Sequence, residues 1–372
     1  MFTSSEHIST YSTHSFHPYS AKYIPKIPQT SIKTFSKPLD LVLDPFCGSG
    51  TTLVEAKLLG RKSIGVDLNP IAVLISKAKT TKILAEKFNS LTKIFNEIEK
   101  QIDIYYSKGK LTKITYKIPS FYNRDHWFPV HVQHELAIIK YYIESQKSED
   151  FQRFLKTGFS AIINQVSNQE SETRYAAIEK QINPKDTFNY FKDKISKMKE
   201  ILIEFNDEAS EENTEAIEAD SRKLKFIKDN SVDLIVTSPP YMNTYDYYLY
   251  HKMRMFWLGR NFKSIEQNEI GSRHRYSSKR MNPSLFYNNL TEVFQECYKK
   301  LKLNKYAIIV IGDSKVQQKF INMDLEIQSI FEKLGFSLQK KFSYNLDSIS
   351  RTFNPQFATK GKKEHILIFQ KK

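Results

Sequence analysis

Two short stretches of this 372-residue chain carry residues whose types and spacing could do chemistry. The first runs from Leu41 to Ala56 and reads Leu-Val-Leu-Asp-Pro-Phe-Cys-Gly-Ser-Gly-Thr-Thr-Leu-Val-Glu-Ala. An apolar run leads into Asp44, glycines follow at Gly48 and Gly50, and a helix-like pattern starts near Thr51. That order predicts a strand, a tight turn and a helix, with glycines that admit positive φ and let a ligand approach without meeting a Cβ. A dinucleotide-binding loop needs a third small residue three positions after the second glycine, and Leu53 stands there, so NAD does not fit. Arg61–Asp67 adds a second short strand ending in an acid, placed to accept hydrogen bonds from ribose hydroxyls. A loop with an acid and no nearby lysine suits a cofactor that is cationic and free of phosphate, and S-adenosylmethionine meets that description. The plain alternative is a structural turn of an α/β protein.

The second stretch is Thr237-Ser-Pro-Pro-Tyr241, directly after the apolar strand that starts at Ser231. It is expected to leave the carboxyl edge of the same sheet, where α/β ligand sites lie. An exocyclic amine on a nucleobase is a weak nucleophile because its lone pair is delocalised into the ring. Ser238 Oγ and the Pro239 carbonyl would accept its hydrogens and aim that lone pair, Pro240 would stiffen the turn, and Tyr241 would stack on a base rotated out of its helix.

With both stretches in view, the chain resembles the amino-methyltransferases of DNA restriction–modification systems. Asp44-Pro-Phe-Cys-Gly-Ser-Gly-Thr-Thr is similar to their cofactor loop, and Ser238-Pro-Pro-Tyr241 to the catalytic tetrapeptide of the cytosine-N4 branch. The segments His17–Lys22 and Glu364–Phe369 are similar to further parts of that family. The resemblance implies methyl transfer from S-adenosylmethionine to cytosine N4 in double-stranded DNA carrying a flipped target base. It also implies a cognate restriction endonuclease acting on the same site. Carried over position by position, it implies Phe46, Gly48 and Gly50 around the methionine moiety, Asp67 at the ribose and Asp220 near the adenine. Adenine-N6 methylation, RNA guanine-N2 or adenine-N6 methylation, and an inactive fold that only binds nucleic acid are the alternatives. Cytosine-C5 chemistry is excluded, because neither Cys47 nor Cys297 lies on a Pro-Cys loop.

The elements that must hold these turns are partly readable. The fold class is α/β: a seven-stranded, mostly parallel, Rossmann-like sheet flanked by helices, with a helical insertion. Residues 1–80 would form the cofactor-binding part, 81–215 the insertion and a place for target recognition, and 216–372 the catalytic part. Residues 1–15 are polar and expected to be loose. His17–Pro28 either crosses a sheet end or brings Tyr19 and Lys22 to one side of the cofactor pocket. Leu84, Phe88, Leu91, Phe95, Ile98 and Ile102 step as one helical stripe, matched by Phe191, Ile195, Met198, Leu202 and Phe205. Asp220 is either an adenine contact or a helix cap.

A net charge of +15 points to a polyanionic partner. The segment 245–285 concentrates it, and Lys252, Arg254, Arg273, Arg275, Lys279 and Arg280 are its candidates for phosphate contact. Within it Gly271–Ser278 reads as a loop that orders on substrate. Asp313 and Ser314 would lie near the target base, and Ser348–Pro355 would line its pocket or connect strands. Two cysteines are too few for a disulfide framework, and His126, His131 and His134 lack partners in a zinc pattern, so no metal is expected. With no apolar run long enough to cross a bilayer and no signal-like start, the expected compartment is the cytoplasm.

Overall fold

Every residue of Val232–Thr237 is buried, and this strand is the middle of the sheet. The computed structural model describes residues 11–108, 116–316, 319–345 and 362–372. The strands are β1 (Leu41–Asp44), β2 (Lys62–Asp67), β3 (Thr214–Glu218), β4 (Val232–Thr237), β5 (Leu301–Gly312), a small ribbon of β6 (Ser314–Val316) and β7 (Lys319–Ile321), then β8 (Phe336–Asn345) and β9 (Lys363–Lys371). Seven of them pair in the order β3-β2-β1-β4-β5-β9-β8. The five from β3 to β5 run parallel, and β9 pairs antiparallel with both β5 and β8. The expected mostly parallel seven-stranded sheet is therefore present, with β9 as its reversed member.

Side chains alternate across the central strands, so each face finds its own helices. Val42, Leu234, Val236, Ile308 and Val310 meet α1 (Lys26–Phe35) through Ile27 and Ile32. Leu43, Ile235, Ile309, Ile311 and Phe369 meet α12 (Ser284–Lys300) and α13 (Met323–Lys333) on the other face. Helix α2 (Thr51–Leu58) follows β1, and α3 (Pro70–Thr80) follows β2. Pro70 takes the first helical position of α3, and Asn69 caps it by accepting from the Ile71 amide at 2.9 Å.

The helices between β2 and β3 are α4 (Leu91–Lys108), α5 (Arg124–Trp127), α6 (Val130–Glu144), α7 (Glu149–Ile162) and α8 (Asp186–Glu208). All five residues of the Phe191–Phe205 stripe are buried on α8. The other stripe is shorter than its sequence suggests: α4 begins at Leu91, a 3-10 turn precedes it, and Leu84 is exposed. These helices share one apolar cluster with Phe16, Val54, Met253 and Trp257, so their layer is fused to the sheet rather than hung from it.

The first described residues also depart from expectation. Ser12–Ser15 form a 3-10 turn with Thr13 and His14 buried, and His14 Nε2 lies 2.8 Å from Glu55 Oε1 of α2. A buried carboxylate needs such a partner. Residues 1–10 and Ser348–Pro355 lie outside the described residues.

Candidate active site

The turn after β1 is built as its glycines require. Gly48 has φ +48° and Gly50 φ +81°, and a Cβ on Gly50 would come within 2.8 Å of Ser76 Oγ on α3. Asp67, at the end of β2, accepts from the Gly48 amide at 2.9 Å and from the Asn69 amide at 2.8 Å. Burial nevertheless pushes its carboxyl up to about 6. Asp44 points inward and accepts from the Phe46 amide (3.1 Å), Thr52 Oγ1 (2.6 Å) and Thr237 Oγ1 (2.7 Å). It thus ties the glycine turn to the exit of β4. Burial lifts it to about 6 as well, against the pull of those hydrogen bonds.

Between the two turns opens a cavity lined by residues of both. Of the residues expected from sequence to bind cofactor, Tyr19, Lys22, Phe46, Gly48, Thr51, Asp67, Asp220 and Ser238 line it. Asp44 and Gly50 stand behind the wall and shape it. Sequence reasoning missed the wall supplied by Tyr247 of α9 (Tyr247–Tyr250), Ile265 of α11 (Phe262–Asn268), and Glu269 and Ile270 just past α11. The short helix α10 (Lys252–Trp257) lies between them. Glu269 is buried, its Oε1 accepts from the Tyr247 amide at 2.8 Å, and burial followed by the charge of Asp246 drives its carboxyl well above the usual range.

Lys22 and three carboxyls, Asp67, Asp220 and Glu269, share this cavity. Lys22 donates to the His14 carbonyl at 3.1 Å. Burial raises Asp220, but hydrogen bonds from Arg222 outweigh it and hold the acid below the ordinary range. An acidic, glycine-floored cavity fits a cationic cofactor without phosphates.

Ser238 and Pro240 line that same cavity from the turn after β4, and Val42 and Leu43 of β1 pair in register with Leu234 and Ile235 of β4. Tyr241 donates its hydroxyl to Glu364 of β9 at 2.8 Å, and its ring lies so close to Gly312 that a Cβ there would be 2.7 Å away. Burial, then the Glu364 charge, push this phenol well above its ordinary value. The cofactor turn and the tetrapeptide, far apart in the chain, therefore meet at one sheet edge.

A family model described as DNA methylase, that of the N6/N4 methyltransferases, matches residues 3–78 and 232–372, more than half of the chain. The chain belongs to this family. Type II methyltransferase M.MvaI of Kocuria varians is 26% identical over 374 aligned positions, which cover 86% of this chain and 81% of that protein. M.MjaII of Methanocaldococcus jannaschii is 24% identical over 439 positions, covering 95% and 80%. Among solved structures, the S-adenosyl-L-methionine complex of TTHA0409 from Thermus thermophilus is 22% identical, covers 41% of this chain and 51% of that one, and has a TM-score of 0.26. The DNA methylase is of the restriction–modification type that its two motifs resemble, and its methyl donor is S-adenosylmethionine.

Not every cation of the methylase's basic segment is available to DNA. Arg254 is wholly buried, its guanidinium bound to Glu172 at 2.6 and 2.8 Å and to the Ser160 carbonyl at 3.0 Å, so it is withdrawn from phosphate contact. Lys252 is half-buried, its ammonium 4.8 Å from the Phe262 ring centroid and 5.3 Å from that of Tyr175. Arg275 is half-buried and donates to the Glu266 carbonyl at 3.1 Å. Arg273, Lys279 and Arg280 are exposed. The Gly271–Ser278 stretch contains a π-helical turn with Tyr276 buried. Asp246 pins it by accepting from Ser272 Oγ at 2.6 Å and from the His274 amide at 2.9 Å.

Asp313, expected near the target base, is buried and spends its carboxylate on His365 Nε2 (3.1 Å) and on the amides of Met323 (3.2 Å) and Lys363 (3.0 Å). Asp313, Asp324 and His365 are close enough to suggest a metal, yet Asp324 already receives Lys341 Nζ at 2.7 Å. His131 Nε2 lies 2.9 Å from the Ile182 carbonyl, and the His134 ring packs tilted against Tyr105.

Proposed function

We propose that this chain methylates the exocyclic N4 amine of cytosine within a specific sequence of double-stranded DNA. Its setting would be the cytoplasm, beside a restriction endonuclease that cuts the same unmethylated site. One observation carries the reading: Ser238 and Pro240 share a cavity with Gly48 and Asp67.

The residues fit S-adenosylmethionine. Tyr19, Phe46, Gly48 and Thr51 would hold its methionine part, Asp67 its ribose and Asp220 its adenine. The cofactor supplies an activated methyl group. Ser238 Oγ and the Pro239 carbonyl would accept hydrogen bonds from the N–H groups of the target amine and orient its lone pair. Pro240 keeps that carbonyl fixed. Tyr241, tethered by Glu364, offers a ring for the extruded base to stack on. The target amine supplies the attacking electron pair, so no enzyme nucleophile is required, and the two cysteines, buried with thiols lifted by burial, are not suited to be one. Positioning by Ser238, Pro239, Pro240 and Tyr241 accounts for the acceleration.

A second reading has its own support. The tRNA (guanine(10)-N2)-dimethyltransferase of Methanocaldococcus jannaschii is 36% identical over 100 residues, covering 27% of this chain and 26% of that one. The deciding experiment offers methyl-labelled S-adenosylmethionine with genomic DNA or with total RNA and digests each to nucleosides. N4-methylcytosine from DNA is the expected product. N6-methyladenine or labelled RNA would replace the reading, and no transfer to either would leave a protein that only binds nucleic acid.

A further inference from the structure

The family model leaves residues 79–231 unmatched. Shared chemistry lies in the matched residues, so whatever separates one member's target sequence from another's must be sought outside them. Much of the unmatched stretch is helix whose apolar face is buried in the layer described above. Among its non-helical pieces, residues 168–178 double back as a short hairpin, with the Glu170 amide donating to the Ala176 carbonyl and the Ile178 amide to the Asn168 carbonyl, both at 2.8 Å.

The base of this hairpin is braced. Asn168 Nδ2 donates to the His126 carbonyl at 2.8 Å, and the Tyr175 ring packs on Trp127 with centroids 4.6 Å apart. Its tip presents Ser171, Thr173 and Arg174 to solvent. The Arg174 side chain is 70% exposed, and its ion pair is with Glu170 of the same hairpin. A firm base under short hydroxyls and one guanidinium suits base edges, where arginine pairs bidentately with guanine and Ser or Thr serves any base.

A second, independent observation ties the hairpin to the cofactor cavity. Glu172, between two exposed tip residues, turns inward onto buried Arg254. Arg254 lies 3.4 Å from His251 Nδ1, and His251 stacks at 4.9 Å on Tyr19, which lines the cavity. A guanidinium is buried only when it is paired, so this contact fixes where the tip stands relative to the cavity.

We propose that hairpin 168–178 reads DNA sequence: Ser171, Thr173 and Arg174 contact base edges beside the target base, and the Glu172–Arg254 pair sets their reach from the cavity. The inference rests on the DNA-methylating reading, and its test does not depend on turnover. The full chain, with S-adenosylhomocysteine present, selects duplexes from a random pool, and the bound sequences are read. The wild-type chain yields a consensus, and Arg174→Ala or Thr173→Ala erases the preference at one or two of its positions. Affinity for the wild-type consensus falls about ten- to a hundredfold for Arg174→Ala. Cofactor affinity and thermal midpoint stay as in the wild type. Lys279→Ala, by contrast, weakens all duplexes alike and keeps the consensus. Tip variants that retain the full consensus and affinity overturn the inference, as does a wild-type chain that selects no sequence. A failure of methyl transfer with a consensus intact overturns only the proposed function.

Discussion

The acidic cavity and the helical layer beside it differ in what their charged groups face: carboxyls gather around open space in the first, and a buried guanidinium meets its carboxylate in the second. At the sheet edge, Asp67 and Glu269 are kept in or against a cavity with their carboxyls forced upward, an arrangement that costs stability until a cation arrives. In the helical layer the buried guanidinium has its counter-charge, since Arg254 meets Glu172, while Glu135, its carboxyl also raised by burial, accepts from the amides of Lys185 (2.7 Å) and Phe188 (3.1 Å) and from the Tyr106 hydroxyl. The first region presents its carboxyls to a cationic ligand. The second settles its charges internally and behaves as scaffold.

That contrast can be broken by experiment. The largest effect is expected in the scaffold: Leu202→Ala, at a wholly buried site on α8, should lower unfolding free energy by about 3 kcal/mol, read by denaturant titration. Cofactor affinity should stay unchanged, and a parallel loss of affinity would mean that the two regions are not separable. Next, Ser238→Ala should reduce kcat on the order of a hundredfold, about 2.7 kcal/mol, while equilibrium dialysis finds cofactor binding intact. A variant with wild-type turnover would remove Ser238 from the chemistry.

A pH series sharpens the comparison further. Asp44 and Asp67 have carboxyls lifted from 3.8 to about 6. The folded chain therefore holds protons that the unfolded chain has released, so their contribution is full below about 3.8 and is lost as pH rises through about 6. Unliganded stability should fall across that window. Affinity for the cationic cofactor should rise across the same window, by roughly tenfold, as the carboxyls ionise. Affinity that is flat from pH 5 to 7 would contradict the electrostatic account of the cavity. The smallest effect is at the surface: Lys279→Ala should weaken duplex binding a few-fold and reduce the salt slope by about one.

The cofactor turn was legible because it is local: Asp44, Gly48, Gly50 and Asp67 announce themselves by spacing, and the sheet followed from the apolar strands around them. The far wall was not. Tyr247, Ile265, Glu269 and Ile270 belong to short helices and the turn that ends one of them, after the tetrapeptide, in a stretch whose tyrosines and cations read more readily as a surface. Arg254 was misread for the same reason. Whether a charge is buried depends on its partner, and Glu172 sits 82 positions earlier, with no periodicity linking the two. Leu84 kept the helical rhythm of its neighbours, but the 3-10 turn at Ala85–Ser90 removed it from their face.

Strand β9 follows all the other strands in sequence, yet it slots between β5 and β8. Growth of the chain therefore leaves a gap in the sheet, with the apolar run from Ala307 to Ile311 offering unpaired amides and carbonyls along an open edge. A product terminated before Lys363 would contain both recognisable motifs and still lack the tether for Tyr241. Its natural fate is to pair with another copy of itself, so prematurely stopped versions of this gene should accumulate as insoluble protein rather than as weak enzymes.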